Sequence, residues 1–470
     1  MNDILFKNAE PKVIAITKKL EEWIKNSPFE DSVYYVGGCV RDLILGKPVK
    51  DIDIVVEMKN GGLMLANWIA MKDKSWVAAK NPVVFETYGT AKVQVKSDPA
   101  FEGMELECVQ TRKEQYHKDS RNPETAFGTI EEDAKRRDLT INAMYYNVST
   151  GEIKDFNGTG FYDLANKIIR TPCDPDITFS DDPLRILRVI RFSTRLGWGI
   201  NKDTWLGMVK NAYRIDIITQ ERITDEVSKI LCTDKPSEGI RKMLHCGILH
   251  RIMPDIYDMQ YTLECKNPVI STFDHTMDVL DAIVEPHIEN RLAALFHDVG
   301  RAMAESDRTV SPNQFSADIA MADLRKMKFS NDVVNAVSCA IRHHEWFSTY
   351  TDGFLPPDKK IRKLMNSCGI NLGIALDLMN ANNQCKAYNK KKTQVLQVMK
   401  RIEELDELDE MTNVKLPVDG NDLIKELGLK KGPNIGIILN ELKEDYFENP
   451  EITKEECLKR AREIVMSLAV

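Results

Sequence analysis

The sequence predicts an α+β fold in which a head containing a β-sheet is followed by a long helical body. Runs with β-like patterning are confined to the first part of the chain, up to about residue 145. From about residue 175 onward nearly the whole sequence has helical periodicity, interrupted at prolines such as Pro236 and Pro254. Strands followed by helices, rather than alternating with them, are typical of α+β proteins. The predicted strands cover residues 33–36, 51–57, 92–95, 104–111 and 143–148.

Length and composition predict an ordinary soluble protein of two to four domains. The chain has 470 residues, of which 43% are hydrophobic and 29% charged. No apolar run approaches the ~18 residues of a membrane span, and the first residues lack the apolar core of a signal peptide. Ten cysteines without Cys-x-x-Cys spacing indicate reduced thiols in a cytoplasmic protein. The net charge of −8 argues against sequence-blind RNA binding but leaves a locally basic RNA site open.

The pair Asp51 and Asp53 is the most informative feature of the predicted strands. These acids alternate with Ile52, Ile54 and Val56, which predicts a half-buried strand with both carboxylates on one face. Two carboxylates at this spacing can hold Mg²⁺ ions side by side, since hard cations take oxygen ligands. The pair therefore predicts a two-metal site.

A glycine turn precedes this strand. Gly37 and Gly38 allow the backbone to approach a bound group, and their amides can bind phosphate. Arg41 adds a cation nearby. Together with the aspartate pair, the turn predicts an enzyme that transfers a nucleotide from a triphosphate. A third carboxylate is expected on a neighbouring strand, and spacing alone does not decide between Glu105, Glu107 and neither of them.

Two further motifs suit nucleotide binding. In the first, Arg136 and Arg137 can neutralise a triphosphate, while Asp138 and Asn142 can hydrogen-bond ribose hydroxyls. A solvated helix end with salt bridges is the alternative interpretation of these residues.

The second motif is a helix start, at which Asp182 and Arg185 are three residues apart on one face. Cytosine and adenine both present an amino donor beside a ring-nitrogen acceptor. A carboxylate and a guanidinium together match that edge and reject uracil and guanine. The helix continues with a basic stripe formed by Arg188, Arg191 and Arg195, which favours phosphate binding.

These motifs resemble those of the class II tRNA nucleotidyltransferases, the CCA-adding enzymes, whose close relatives are the bacterial poly(A) polymerases. The matching stretches begin at Gly37, Asp51, Arg136, Asp182 and Glu221, in the family's order. The resemblance implies that Glu107 is the third carboxylate and that Asp182 and Arg185 form the amino-acid template for incoming CTP or ATP. It also implies nucleotide contacts from Gly37, Gly38, Arg41, Arg136, Arg137, Asp138, Asn142, Arg188 and Arg191. One departure is Asp181, where the family often has glutamate.

The same resemblance implies a domain organisation. A nucleotidyltransferase head with a mixed β-sheet would cover 1–145, and a helical neck with nucleotide-selecting and RNA-binding elements 146–260. A helical body would cover 261–400 and a helical tail 401–470. The implied cofactor is Mg²⁺, and the implied partners are CTP, ATP and the tRNA acceptor end, with no membrane partner. The oligomeric state is not predicted.

A second resemblance, to HD-type metal domains, covers about residues 270 to 385. His275, His297 and Asp298 match the first ligands of such a domain, and His343-His344 lies where a later histidine often occurs. Asn382 stands where the final metal-binding aspartate is expected, and Pro312-Asn313 replaces a common His-Glu pair. A degenerate site in a helical scaffold is therefore expected.

The predicted activity is addition of CCA to the 3′ end of tRNA by template-independent, two-metal nucleotidyl transfer. A poly(A) polymerase is a rival, although the tail is mixed and partly acidic rather than strongly basic. A CC-only-adding enzyme is a second rival, and the resemblance implies a shortened loop after the third carboxylate in that subgroup. Residues 111–130 look full length and retain Arg112, Lys118 and Arg121, which favours addition of all three nucleotides. From another class, an HD-type phosphohydrolase or a non-catalytic RNA-binding protein remains an alternative.

Overall fold

The computed structural model describes residues 5–49, 51–72, 82–85, 89–95, 105–117, 120–264, 267–301, 311–346, 355–385, 392–412, 416–429, 432–449 and 452–468. The chain divides into two compact units, Met1–Pro254 and Asp255–Val470. The first contains the main sheet, and the second is built mostly from helices. The predicted α+β class is confirmed.

A mixed sheet of seven strands forms the head of the first unit. The strands of this unit are β1 (Val33–Val36), β2 (Ile52–Val56), β3 (Val83–Phe85), β4 (Thr90–Gln94), β5 (Glu105–Gln110), β6 (Arg112–His117), β7 (Ser120–Phe127), β8 (Met144–Asn147), β9 (Ile153–Asp155), β10 (Ile168–Ile169) and β11 (Gly199–Ile200). The main sheet has the order β3-β4-β5-β2-β1-β8-β9, with β2 and β5 parallel and the other neighbours antiparallel. The five strands predicted from the sequence correspond to β1, β2, β4, β5 and β8.

Two smaller strand pairs accompany the main sheet. β6 and β7 form an antiparallel hairpin in the segment 111–130, and β10 pairs with β11 in parallel. Within that hairpin, Lys118 and the side chain of Arg121 lie outside the described residues. The hairpin contacts the main sheet through Thr111, whose amide donates to the carbonyl of Val56.

The first helices of this unit cover both faces of the sheet, and further helices follow the last strand of the main sheet. They are α1 (Pro11–Ile24), α2 (Gly38–Ile44), α3 (Gly61–Lys72), α4 (Ile130–Lys135), α5 (Gly160–Asn166), α6 (Pro175–Asp181), α7 (Leu184–Leu196), α8 (Lys202–Asn211), α9 (Gln220–Leu231), α10 (Pro236–His245) and α11 (Leu249–Ile252). Neighbouring residues of β1 point to opposite faces. Tyr35 donates a hydrogen bond to Thr17 of α1, while Tyr34 packs in a cluster with Ile130 and Ala134 of α4.

The sequence around α7 explains where this helix begins and ends. The Asp182 carboxylate accepts a hydrogen bond from the Leu184 amide at 3.1 Å, and Pro183 supplies a backbone angle suited to a helix start. The helix ends at Gly197, whose left-handed conformation is typical of a helix C-terminus. Ile186, Val189 and Ile190 are buried, which leaves the arginines on the remaining faces.

The second unit consists of helices with one small hairpin. Its helices are α12 (Pro254–Asp258, at the unit boundary), α13 (Thr272–Ala282), α14 (Ile288–Phe296), α15 (Pro312–Lys326), α16 (Asn331–His343), α17 (Asp358–Cys368), α18 (Leu372–Cys385), α19 (Lys392–Thr412), α20 (Gly420–Leu427), α21 (Pro433–Glu448) and α22 (Lys454–Leu468). β12 (Leu263–Glu264) and β13 (Asn267–Ser271) form the hairpin. No helix among the described residues has the length and hydropathy needed to cross a membrane.

The finer division into head, neck, body and tail remains a prediction. The sheet continues past residue 145 to β9, and the helices α5 to α11 follow it within the same unit. Helices α20, α21 and α22 share a core of their own, which includes Leu423, Ile438 and Leu442.

Candidate active site

The parallel pairing of β2 with β5 brings acidic residues together on one face of the sheet. Asp53 lies directly opposite Glu107 in the register, and Asp51 stands just before the first residue of β2. Their neighbours Ile52 and Ile54 are fully buried on the other face. Glu105 lies one pair further along, opposite Gln94, with its Oε2 atom 3.0 Å from Nζ of Lys92. Geometry thus places Glu107, rather than Glu105, beside Asp53.

Crowding of the carboxylates alters the acidity of Asp53. Desolvation raises its pKa to about 6, and the charges of Glu107 and Asp51 act in the same direction against Arg137 and Lys92. A carboxylate in such an acidic group gains from a nearby divalent cation, because the cation neutralises the repulsion. The donor set of three carboxylates on one sheet face therefore fits a divalent metal.

The glycine turn lies against this acidic face. Gly37 has a φ angle of 75°, in the left-handed region, and directly precedes α2. A Cβ atom at Gly37 would lie 3.3 Å from Oδ2 of Asp53 and 3.8 Å from Nη1 of Arg137. The absence of a side chain at this position keeps the space between the carboxylate and the guanidinium open.

Arg41 is buried, and its guanidinium is hydrogen-bonded to other side chains. Its side chain is only 2% exposed and donates two hydrogen bonds of 2.9 Å to Asp42. A third donor, Nη1, reaches Oδ1 of Asn142 at 2.7 Å. These bonds fix the end of α2 against the turn Thr140–Asn142, and the guanidinium lines the cleft defined below.

The two neighbouring arginines at the end of α4 have different environments. Arg137 donates to Asp133 at 3.0 Å and to the Tyr145 hydroxyl at 2.8 Å, and it also lines the cleft. Arg136 turns toward Asp133 and toward Glu114 of the β6–β7 hairpin, at 2.6 and 3.1 Å. The Asp133 carboxylate, fully buried, has its pKa lowered to about 2 by the two arginines, against desolvation.

Asp138 joins the head to helix α7. Its buried carboxylate receives hydrogen bonds from Arg188, with N···O distances of 2.6 and 2.8 Å. Asn142 donates to the other oxygen at 3.4 Å. Despite desolvation, the Arg188 guanidinium and these hydrogen bonds lower the pKa of Asp138.

The predicted base-selecting pair lies at the start of α7. Asp182 accepts from Arg222 of α9 at 3.1 Å in addition to its helix-capping bond. Arg185, which is 8% exposed, donates to the carbonyl oxygens of Arg136 and Thr178 at 2.8 and 3.3 Å, with Glu114 3.7 Å away. The Arg185 charge also contributes to lowering the pKa of Asp138, which lines the cleft described next.

An open cleft of about 400 Å³ joins these elements. The described residues that line it are Gly37, Gly38, Cys39, Arg41, Asp42, Pro48, Val49, Asp51, Asp53, Arg137, Asp138, Asn142, Arg188, Phe192 and Arg195. Four carboxylates and four guanidiniums therefore line the same cleft. Such a surface suits a polyanion that arrives together with divalent cations.

The cleft includes most, but not all, of the predicted site residues. The predicted site residues that are not among the described residues lining it are Glu107, Arg136, Asp182, Arg185 and Arg191. Arg191 instead pairs with the buried Glu226 of α9 at 2.7 Å. The roles predicted for these residues and for the cleft residues stay predictions.

Sequence reasoning missed several residues of the cleft and its support. Phe192 lines the cleft and stacks on Arg191, with 4.4 Å between the guanidinium carbon and the ring centroid. Its spacing from Arg188 and Arg195, four and three residues, places all three on one helical face, and this pattern is visible in the sequence. Asp133 and Glu226 gave no comparable signal, because their importance depends on partners distant in the chain.

The second unit contains the cluster expected of an HD-type site. Nε2 of His275, His297 and His344 lies 3.8, 3.2 and 3.5 Å from the Asp298 carboxylate, and all four residues are buried. Of the predicted pair His343-His344, only His344 belongs to this cluster. HD-type character as such stays a prediction.

Two further contacts describe the state of this cluster. Oδ1 of Asn382 lies 3.2 Å from Nε2 of His275, so a neutral amide stands at the expected ligand position. Nε of Arg301 lies 2.7 Å from Asp298. The charge of Asp298 is thus already compensated by a guanidinium, which favours a structural role for the cluster.

Comparisons with known families and relatives agree with this geometry. Residues 33–170 match the family described as "Poly A polymerase head domain", and residues 197–259 match "Probable RNA and SrmB- binding site of polymerase A". The chain is 31% identical to the "Multifunctional CCA protein" of Chromobacterium violaceum over 72% of its own length and 79% of the relative's. It is 27% identical to the "CCA tRNA nucleotidyltransferase, mitochondrial" of Candida glabrata, over 91% and 90%.

Solved structures support the fold over the whole chain. The Bacillus stearothermophilus CCA-adding enzyme in complex with CTP superposes with a TM-score of 0.65 at 21% identity. The alignment covers 98% of this chain and 99% of that enzyme. The two proteins therefore share one architecture from the sheet to the last helix.

Proposed function

Because the chain belongs to the class II family of CCA-adding tRNA nucleotidyltransferases, we propose that it adds C, C and A in turn to the 3′ end of tRNA, using CTP and ATP. The observation that carries the proposal is the cleft in which Asp51, Asp53 and the glycine turn face the guanidiniums of Arg137, Arg188 and Arg195. This arrangement provides ligands for divalent cations beside a cationic wall for a triphosphate.

The acidic face would hold the metal ions. Asp51 and Asp53, with Glu107 beside them, offer only carboxylate oxygens, and hard divalent cations such as Mg²⁺ prefer such ligands. When bound, such ions lower the pKa of the primer 3′-hydroxyl and neutralise charge on the triphosphate. Gly37 and Gly38 leave room for the phosphates next to the carboxylates.

The residues around the cleft would bind the nucleotide. Arg137 is oriented by Asp133 and Tyr145, so its guanidinium is available in a fixed position for phosphate oxygens. Asn142 and Asp138, held by Arg41 and Arg188, supply hydrogen-bonding groups for ribose hydroxyls. These residues restrain one another, and this reduces the conformational freedom lost when the substrate binds.

Selection between bases would fall to Asp182 and Arg185. A carboxylate accepts from the amino group shared by cytosine and adenine, and a guanidinium donates to the adjacent ring nitrogen. Arg185 donates to two backbone carbonyls, and Asp182 is tied to Arg222. Selecting a base would therefore require these side chains to exchange their present partners for the nucleotide.

We propose the acceptor end of tRNA as the polymer substrate and the cytoplasm as the site of action. The partner follows from the family, and the location follows from ten cysteines without a Cys-x-x-Cys spacing. The Candida glabrata relative is named as mitochondrial, so cell fractionation with an antibody against this chain is the appropriate check of location.

The decisive experiment uses a tRNA transcript lacking its CCA end, purified protein, Mg²⁺, and labelled CTP, ATP or both. Products are resolved at single-nucleotide length. Growth by three nucleotides that needs both CTP and ATP, and then stops, supports the proposal. Omission of Mg²⁺ in the presence of a chelator should abolish growth, and replacement by Mn²⁺ tests the metal preference.

Other outcomes assign the chain elsewhere. A long ladder with ATP alone would make it a poly(A) polymerase, and growth by two nucleotides with CTP alone would make it a CC-adding enzyme. If no growth occurs, or if Asp53→Ala remains active, the assignment of the cleft is wrong.

A further inference from the structure

A group of soft ligands lies in the second unit, apart from the His275 cluster. The ligand atoms of Cys339, His343 and Cys368 all lie within 4.8 Å of one another. Cys339 and His343 are half-buried, and Cys368 is 4% exposed. Two thiols and an imidazole at this separation make a set that neither the predicted nucleotide chemistry nor the histidine cluster uses.

The fold brings the three residues together at the ends of two helices. Cys339 and His343 are four residues apart in the last turn of α16, which places them on the same helical face. Cys368 is the last residue of α17, and the following Gly369 has a φ angle of 52°. The Cys339 thiol lies 4.0 Å from the backbone oxygen of Cys368, so the two helix ends are in contact.

The two adjacent histidines at the end of α16 have different surroundings. His344 donates through Nδ1 to the carbonyl of Ile341 and faces Asp298. His343, one residue earlier and about 100° around the helix, is grouped with the two cysteines. A sequence pattern that reads as one His-His pair is divided between two clusters.

The chemistry of this group selects the kind of ion. Thiolate and imidazole ligands favour Zn²⁺ over Mg²⁺ or Ca²⁺, which prefer oxygen. In a tetrahedral site with bonds of about 2.0–2.3 Å, ligand atoms are roughly 3.5–3.8 Å apart. Ligand atoms already within 4.8 Å need only small side-chain rotations to reach that spacing.

We propose that Cys339, His343 and Cys368 form a three-ligand Zn²⁺ site that ties the end of α16 to the end of α17. A water molecule or an exogenous ligand would complete the tetrahedron. The site is separate from the nucleotidyltransferase cleft, since all three ligands belong to the second unit.

Electrostatics agree with this assignment. Interaction with the Cys368 side chain lowers the pKa of the Cys339 thiol to about 7, with a further contribution from Arg342. The same interaction raises the pKa of the Cys368 thiol, so zinc binding would have to displace its proton.

A bound ion would stabilise a specific part of the second unit. Helix α17 also contacts α21, and Lys359 of α17 pairs with Asp445 of α21 at 3.1 Å. Fixing the C-terminal end of α17 on α16 would therefore add a restraint between the helices that carry the histidine cluster and those that follow.

Cobalt binding to the full-length protein tests the proposal directly. Protein freed of metal by a chelator is titrated with Co²⁺ under reducing conditions, and thiolate-to-cobalt charge-transfer absorption is recorded in the near ultraviolet. We expect this band to saturate at one Co²⁺ per chain and to disappear when Zn²⁺ is added. The histidine cluster cannot produce it, because it contains no sulfur, and the variants described next distinguish the proposed site from Cys39 of the cleft.

Variants identify the ligands. Cys339→Ser and Cys368→Ser should each weaken or remove the charge-transfer band, and His343→Gln should weaken Co²⁺ binding with far-ultraviolet circular dichroism unchanged. Cys385→Ser, a half-buried cysteine of α18 in the same unit, is the matched control and should keep the band. His343 is half-buried, so its variant remains informative if a cysteine variant fails to fold.

Three outcomes would overturn the proposal. One is the absence of a charge-transfer band in the wild-type protein. Another is a band that persists unchanged in both Cys339→Ser and His343→Gln. The third is a thiol count under non-reducing conditions showing that Cys339 and Cys368 form a disulfide while the reduced protein binds no Co²⁺.

Discussion

Gly37 is suited to its position for two reasons, its positive φ angle and the lack of space for a side chain beside Asp53. Its φ of 75° is unfavourable for other residues, and a Cβ would lie 3.3 Å from the Asp53 carboxylate. Gly197 has a similar φ of 68°, but nothing lies within 4 Å of its Cβ position. Comparison of alanine variants at the two positions can therefore distinguish the effect of backbone strain from the effect of a side chain beside Asp53.

We expect Gly197→Ala to cost about 1–2 kcal/mol of stability through its left-handed helical backbone, and Gly37→Ala, whose ψ is −138°, to cost at least as much. Only Gly37→Ala should reduce nucleotide addition, by about a hundredfold, because a displaced Asp53 is misaligned. Urea unfolding and single-turnover addition measure the two effects. Equal activity in both variants would show that the turn does not position the carboxylate.

The neighbouring glutamates of β5 form a second matched pair. Glu107 lies opposite Asp53 in the β2–β5 register, and Glu105 does not. Lys92 contacts both glutamates, with Nζ 3.0 Å from Glu105 and 3.7 Å from Glu107. Glu107→Gln should lower kcat/KM by about a hundredfold, or about 2.7 kcal/mol, since the metal group loses an anionic oxygen. Glu105→Gln should retain activity within about threefold. The reverse order would identify Glu105 as the third carboxylate.

The raised pKa of Asp53 predicts how activity depends on pH. With a pKa of about 6, the carboxylate is ionised above pH 6 and becomes protonated as the pH falls through this value. Protons and divalent cations compete for the same oxygens. Activity should therefore decline below pH 6, and a tenfold increase in Mg²⁺ should move the midpoint to lower pH. A midpoint insensitive to Mg²⁺ would contradict this account.

At the scale of elements, helices α7 and α9 are joined by a buried ion pair. Arg191 contacts Glu226, which is 3% exposed. Arg191→Met would leave this carboxylate with Arg188, 3.7 Å away, as the remaining cation in contact with it among the described residues. We expect a loss of about 3 kcal/mol with the KM for CTP and ATP unchanged within twofold. An exposed pair of α10, Lys242 and Glu238, provides the control, and Lys242→Met should change stability by less than about 1 kcal/mol.

A different result would support the sequence-based hypothesis. If Arg191→Met raised the KM for nucleotides without lowering the midpoint of urea unfolding, Arg191 would contact the substrate as first predicted. Stability and nucleotide affinity therefore have to be measured on the same preparation.

The sequence predicted those parts of the fold and cleft that depend on local patterns. Strand β1 was predicted at residues 33–36, and alternation around Asp51 and Asp53 identified β2. The parallel register that selects Glu107 could not be derived from spacing, because it depends on a pairing across more than fifty residues of chain. The strands β3, β6 and β7 were missed for a different reason. β3 is short and β6 and β7 are polar, so none of them has a clear alternation of apolar and polar residues.

At the scale of the whole molecule, the two units contain clusters that differ in composition and in access to solvent. The cleft of the first unit is open and rich in carboxylates, whereas the cluster of the second is buried and contains Arg301 and the neutral Asn382. We expect the protein to transfer nucleotides but not to hydrolyse bis-p-nitrophenyl phosphate with Mn²⁺, Ni²⁺ or Co²⁺. Hydrolysis that is lost in His297→Ala would overturn this expectation.

The register between β2 and β5 also constrains how this chain can vary in length. Neighbouring residues of a strand point to opposite faces, so removal of one residue ahead of Glu107 within β5 would turn its carboxylate away from Asp53. Strand β4 lies between β2 and β5 in the chain and pairs with β5, so the same parity rule applies to it. Insertions and deletions among natural variants should therefore be excluded from β4 and β5 and concentrated outside the strands, a pattern that sequencing of variants would reveal without any assay.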